Sequence, residues 1–179
     1  MPRRNLDQAV DIATLKAQID AEILDRLKIE AEAAQHIYRR GFRIGELRLL
    51  VALDATSEVA EMPPLFRLPG APNGVIGLVN SHGRVMPVVD LHVLFGIKRL
   101  QPGGFWLLTC GRGDAIGLVI DSLPERKKFT QDSACSLLEV AHPLSFYASA
   151  AYRDGQDIWL DVDVEKFLTT ILKVDSATH

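Results

Sequence analysis

Apolar and polar positions divide this chain into two textures. From Arg3 to Arg40 there is neither glycine nor proline, and Ala, Leu, Ile, Glu, Lys, Arg and Gln dominate. These residues favour helix. Ile12, Leu15, Ile19, Ile23 and Leu27 recur three or four apart and form an apolar stripe, extended weakly by Ala31, Ala34 and Tyr38. A continuous helix of this length reaches on the order of 50 Å. That is too long for one face of a small domain, so a break or a projecting end is expected. Two uses stay open: a cover folded back over the rest of the chain, or a surface for a partner or a second copy. The stripe is too apolar for a solvated, disordered tail.

After Gly41 the texture becomes strand-like, with Gly, Pro and Asp punctuation about every 8 to 12 residues, as in sandwiches and barrels. Phe42-Arg43-Ile44 and Leu47 to Ala52 flank a turn at Gly45-Glu46. Asp54 to Ser57 is expected to cap a single helical turn, and Val59 to Met62 to be extended. Gly74 to Leu91, GVIGLVNSHGRVMPVVDL, predicts a strand, a turn at Asn80-Ser81-His82-Gly83, a return strand and the start of a short helix. Gly83 suits a positive φ. Pro87 cannot donate to a ladder, which marks an edge or a bulge. Asp90 stands where an N-cap belongs, and Gly96 supplies the stop.

Phe105 to Cys110 and Ala115 to Ile120 predict a short buried hairpin around Gly111 to Asp114. Glu125 to Phe129 has the charges of an exposed edge strand. Gln131 to Pro143 reads as loop with one helical turn. Phe146 to Tyr152 and Asp157 to Asp161 flank Asp154-Gly155, a strong hairpin signal. Val162 to Leu172 predicts a closing helix with Val164, Phe167, Leu168, Ile171 and Leu172 on one face. Trp106 and Trp159 are expected in the core. About ten short strands suit two small barrels or a sandwich.

Composition narrows the function. A chain of 179 residues, 47% hydrophobic and 24% charged, is long enough for one sizeable core or two small ones sharing a wall. A net charge of −3 leaves no basic excess for general nucleic-acid binding. Arg126-Lys127-Lys128-Phe129 sets basic residues beside an aromatic one, a weak signal in an acidic chain. No apolar run approaches the ~20 residues of a membrane span, and Asp7 and Asp11 break any apolar signal region after Arg3-Arg4. Cys110 and Cys135 fit neither a metal spacing nor a disulfide framework, which points to a reducing compartment. A cytoplasmic protein is expected.

Little catalytic chemistry is legible. The histidines, His36, His82, His92, His142 and His179, form no metal-binding spacing. Gly111, Gly113 and Gly117 are not a dinucleotide fingerprint, and serine-elbow and phosphate-loop patterns do not occur. No cofactor or metal is expected. A Cys110 nucleophile with His82 or His92 as base is the enzymatic alternative, although Cys110 ends an apolar strand, where inert cysteine is commoner.

The Gly74–Leu91 stretch resembles the signature of CheW-like proteins, roughly G-x-x-N-L-R-G-x-x-x-P-V-x-D-L. Gly77, Asn80, Gly83, Pro87, Val88, Asp90 and Leu91 fit it. Leu68-Pro69-Gly70-Ala71-Pro72 looks like the family's connection into this hairpin, and Gly41 to Gly45 like its opening strand and turn. Both look most like the type IV pilus, twitching-motility branch. The resemblance implies a mainly β fold. It would hold two SH3-like five-stranded barrels sharing a core, with a long N-terminal helix and a C-terminal helix added. It divides the chain into an extension over 1–40, a CheW-like domain over 41–172 and a tail over 173–179.

The function it implies is a non-enzymatic adaptor coupling methyl-accepting chemoreceptors to a CheA-type histidine kinase. Self-association through the N-terminal helix is a further expectation. Partner-binding positions implied by the resemblance are Thr56, Glu58, Gly77, Asn80, His82, Gly83 and Arg84. Glu58 falls where the family commonly carries a glutamate. His82 departs from the family's usual arginine, and Ser81 from its usual apolar residue. Histidine is shorter than arginine and lacks its forked, permanently charged donor set.

Overall fold

The protein is described here by a computed structural model covering residues 12–100, 105–111, 114–164, 166–168 and 170. The expectations for Arg3 to Asp11, Ile171, Leu172 and the 173–179 tail lie outside the described residues. The chain divides after Ile37 into two units. The first holds helix α1, Ile12–Ala34. It ends short of the predicted Arg40 because the chain turns extended at His36, where strand β1 begins. Tyr38 is therefore a strand residue and not part of the helical stripe. β-branched and aromatic residues at Ile37, Tyr38 and Phe42 favour that outcome.

The second unit carries the β structure. Its strands are β1 (His36–Ile44), β2 (Leu47–Val51), β3 (Thr56–Glu61), β4 (Val75–Ser81), β5 (Arg84–Val89), β6 (Trp106–Cys110), β7 (Ile116–Ile120), β8 (Glu125–Thr130), β9 (Ala134–Cys135), β10 (Ala148–Asp154) and β11 (Asp157–Val162). One sheet runs β8-β1-β2-β11-β10-β9, the other β3-β6-β7-β5-β4. β1–β2, β9–β10, β10–β11, β3–β6, β6–β7 and β4–β5 pair antiparallel, whereas β2 with β11 and β5 with β7 are parallel. The first sheet thus has six strands rather than five, the sixth being the two-residue β9.

Four local expectations change. Residues 53–55 make a turn and bend, with the Ala55 N–H donating to the Ala52 carbonyl, and Thr56 already starts β3. Pro143–Tyr147 is 3-10 helix, so β10 begins at Ala148 and not at Phe146. Two shorter 3-10 turns, Gln131–Ser133 and Leu137–Glu139, occupy the presumed loop. The closing helix starts at Val164 rather than Val162. The Asp163 carboxylate accepts from the Lys166 N–H at 3.0 Å, and Val164, Phe167 and Leu168 are buried.

The two sheets share one apolar wall. Phe42, Ile44, Leu49 and Val51 of the first sheet pack in one cluster with Val89, Leu108, Leu118 and Ile120 of the second. Val79, Met86, Val88, Leu107 and Val119 form a second cluster on the other face of the five-stranded sheet. β6 and β7 are therefore buried on both faces, which explains their unbroken apolar runs.

A chain of polar contacts crosses between the sheets. Asp90 caps the short helix α2, Leu91–Phe95, accepting from the His92 N–H at 2.9 Å. Its carboxylate also meets His92 Nδ1 at 2.9 Å and the Arg99 guanidinium. His92 Nε2 lies 2.9 Å from Asp121 Oδ2, which accepts from the Gly45 N–H at 2.6 Å in the β1–β2 turn. The Asp121 N–H donates to the Arg43 carbonyl at 2.9 Å, and the Arg43 N–H donates to Ser122 Oγ at 2.9 Å. Asp90 and His92 are almost wholly buried.

Removing one member of a buried charged network leaves the others unpaired and costs about 3–5 kcal/mol. Asp90→Ala is expected to lose about that much in urea unfolding. Asp90→Asn keeps the cap and should lose less. Equal losses from the two substitutions would assign the effect to the charge alone.

Candidate functional site

The signature hairpin is held by its backbone. β4 and β5 pair from Val75–Val89 to Ser81–Arg84. The loop is only His82 and Gly83, with φ of 52° and 80°. Two positive φ values define the type I′ turn that matches the twist of a hairpin. Gly83 takes this conformation freely, whereas His82 is the only non-glycine with positive φ among the described residues. Asn80 and Ser81 lie within β4, so Asn80 is a paired strand residue opposite Val85 and does not cap the turn.

Gly77 answers a different demand. A Cβ there would stand 2.3 Å from the Phe66 carbonyl oxygen. Phe66 and Leu78 exchange both backbone hydrogen bonds at 2.8 Å, so the 65–68 connection seals part of the β4 edge. Open edges invite strand pairing, and this bridge limits it.

The implied positions gather at one end of the five-stranded sheet. β3 and β4 are its opposite edges. Even so, Glu58 Oε1 on β3 lies 2.8 Å from His82 Nε2 at the β4–β5 turn. This contact curls the sheet, bringing together residues 24 apart in sequence. His82 is 78% exposed and Glu58 40% exposed, so the pair faces solvent. Asn80, Gly83 and Arg84 are exposed beside it. Thr56 and Gly77 are buried and shape the backbone beneath. Among the described residues Thr56 Oγ1 has no hydrogen-bond partner, and a bulge falls between Thr56 and Glu58. The bulge turns Glu58 toward the hairpin.

Sequence reasoning placed Glu58 and His82 separately and missed their contact. A pairing through space across a curled sheet leaves no local signal. It also missed the Asp90–His92–Asp121 link, of which only the cap was legible.

Catalytic alternatives lose their geometry. Cys110 is buried, and burial pushes its thiol up to about 12, far from a thiolate at neutral pH. Its Sγ contact is with the Leu108 carbonyl at 3.7 Å. The two histidines proposed as its base are committed to carboxylates, His82 to Glu58 and His92 to Asp90 and Asp121. Among the described residues no cluster of His, Cys, Asp and Glu could hold a metal ion.

The basic cluster is likewise spoken for. Arg126 and Lys128 lie over the Tyr38 ring at 4.7 and 5.9 Å, and Lys127 over Trp159 at 4.6 Å. Phe129 is buried and stacks on Tyr152. No stacking platform for bases remains there. No helix among the described residues is long and apolar enough to cross a membrane.

Native protein at pH 8 should therefore expose one thiol to alkylation, the half-buried Cys135. Two should react in denaturant. Rapid modification of Cys110 in the native protein, detected by peptide mass, would revive the nucleophile reading.

Comparison with known proteins agrees with this architecture. The CheW-like domain family matches residues 41–172. The chemotaxis protein CheW of Rhizobium meliloti (strain 1021) is 28% identical over 100 residues, covering 52% of this chain and 64% of that protein. Chemotaxis protein CheW of Helicobacter pylori (strain ATCC 700392 / 26695) is 28% identical over 93 residues, covering 51% and 56%. The matched region thus spans less than two thirds of these relatives. The crystal structure of the scaffolding protein TtCheW from Thermoanaerobacter tengcongensis superimposes with a TM-score of 0.60 at 19% identity, over 70% of this chain and 88% of that one. The expected pair of SH3-like barrels is accordingly the fold of this protein. From its hairpin signature, its two sheets around a shared wall and these matches, the chain belongs to the CheW-like domain family.

Proposed function

We propose that this protein is a non-enzymatic chemosensory adaptor in the cytoplasm, coupling chemoreceptors to a CheA-type histidine kinase and joining membrane arrays through those partners. The observation that carries the reading is the solvent-facing Glu58–His82 contact. It sets the family's glutamate against the turn of the family's signature hairpin. Glu58, Asn80, His82, Gly83 and Arg84 would touch the partner, with Thr56 and Gly77 fixing the backbone below. Such a scaffold acts by geometry: differential affinity for two states of a receptor or kinase is what passes information.

His82 tunes that surface. An arginine at this turn would carry a permanent charge and a forked donor set beyond Glu58, where the shorter imidazole stops. His82→Arg should strengthen binding to a conventional CheA-type kinase or receptor, and Glu58→Lys should weaken it about tenfold or more. Titration calorimetry against purified kinase regulatory domain and receptor-tip fragment reads both. An unchanged dissociation constant for both variants would remove this end of the barrel from the interface. Capture from a lysate of the native host, with full-length chain and with a chain lacking residues 1–40, tests the function itself. Recovery of kinase by both supports binding on the β unit, and recovery of neither kinase nor chemoreceptor overturns the reading.

A further inference from the structure

The residues of the proposed partner surface belong to β3, β4, β5 and their turn, and none is on α1. Every side chain described from Ile12 to Glu32 is exposed, including Ile12, Leu15, Ile19, Ile23, Leu24, Leu27 and Ile29. Most helical stability in proteins comes from packing of an apolar face rather than from propensity. The face here has a defined period. Ile12, Ile23 and Ala34 recur every 11 residues, with Leu15 and Ile19 between the first two and Leu27 and Ala31 between the second two. An 11-residue repeat takes about 3.67 residues per turn, so the stripe stays on one side of a nearly straight helix.

The same face is complementary to itself when reversed. Residues equidistant from Ile23 are Ile19 and Leu27, Lys16 and Glu30, Leu15 and Ala31, and Ile12 and Ala34. Two copies meeting antiparallel at Ile23 set apolar against apolar at every such step but one. The remaining step sets Lys16 of each copy beside Glu30 of the other. Two parallel copies in register instead oppose Lys16 to Lys16 and Glu30 to Glu30. Like charges brought together disfavour that arrangement.

We propose that α1 pairs antiparallel with α1 of a second copy, about a two-fold axis at Ile23. The isologous interface is closed, so assembly stops at the dimer. The occupant is a second copy rather than a foreign helix because the charge pattern is its own complement.

Sedimentation equilibrium of the full chain should show a dimer that Ile23→Asp converts to monomer. Orientation is read by disulfide cross-linking in a Cys135→Ser background. Lys16→Cys with Glu30→Cys in one chain should give a covalent dimer on oxidation. Lys16→Cys alone should not, since antiparallel pairing holds the two positions about 20 Å apart. A monomeric full chain overturns the proposal, as expected if a different protein's helix is the occupant. A dimer that survives Ile23→Asp, or one that cross-links through Lys16→Cys alone, overturns it equally.

Discussion

The buried link Asp90–His92–Asp121 is the constraint on which the β unit depends. The apolar wall between the sheets has no direction of its own, since burial rewards contact in any register. Hydrogen bonds do have direction. Asp90 leaves the end of β5, Asp121 follows β7, and the Gly45 amide belongs to the β1–β2 turn of the other sheet. His92 spans the distance between two carboxylates from the first turn of a five-residue helix. Arg99 closes the far side of Asp90 and lies over the Phe105 ring at 4.1 Å. Networks of this kind are costly if half satisfied and set one arrangement when complete.

Given that arrangement, the exposed end of the five-stranded barrel follows from backbone requirements. The type I′ loop needs two positive φ angles, and the Phe66 bridge needs a residue without Cβ at position 77. Neither glycine has to touch a partner to be required. Their effect is to hold His82 where Glu58 can reach it. His82 thus sets the chemistry of the tip, while the backbone sets its placement.

Local rules carried much of the fold. The hairpin at Gly155, the cap at Asp90, the stop at Gly96 and the edge strand β8 are all written in neighbouring residues. Failures occurred where tertiary contacts override local preference. Asp54 to Ser57 has the composition of a helix cap, yet Thr56 and Glu58 are drawn into pairing with Cys110 and Thr109. The glycine-free run to Arg40 reads as one helix, yet residues 40–44 pair with β2 and carry the strand backward. Within the site, Gly77, Asn80, His82, Gly83 and Arg84 were picked out by the hairpin signature, and Thr56 and Glu58 by counting back from it. The Glu58–His82 contact and the His92 link were not, because each joins elements that meet only when a sheet curls or two sheets pack.

On the proposed adaptor reading, the β unit transmits through the difference in its affinity for two partner states. Rigidity serves that difference, because a β unit fixed in one arrangement presents the same surface to both states. The polar link supplies that stiffness in the β unit. α1 supplies a different property: joining two copies through a helix pair would make partner engagement bivalent, with the second contact drawing on a high effective concentration rather than on new binding energy. Pairing through α1 would raise avidity without altering the residues of the proposed partner surface, which belong to the β unit. On that logic, loss of α1 pairing should weaken attachment to a clustered array far more than binding to an isolated partner domain.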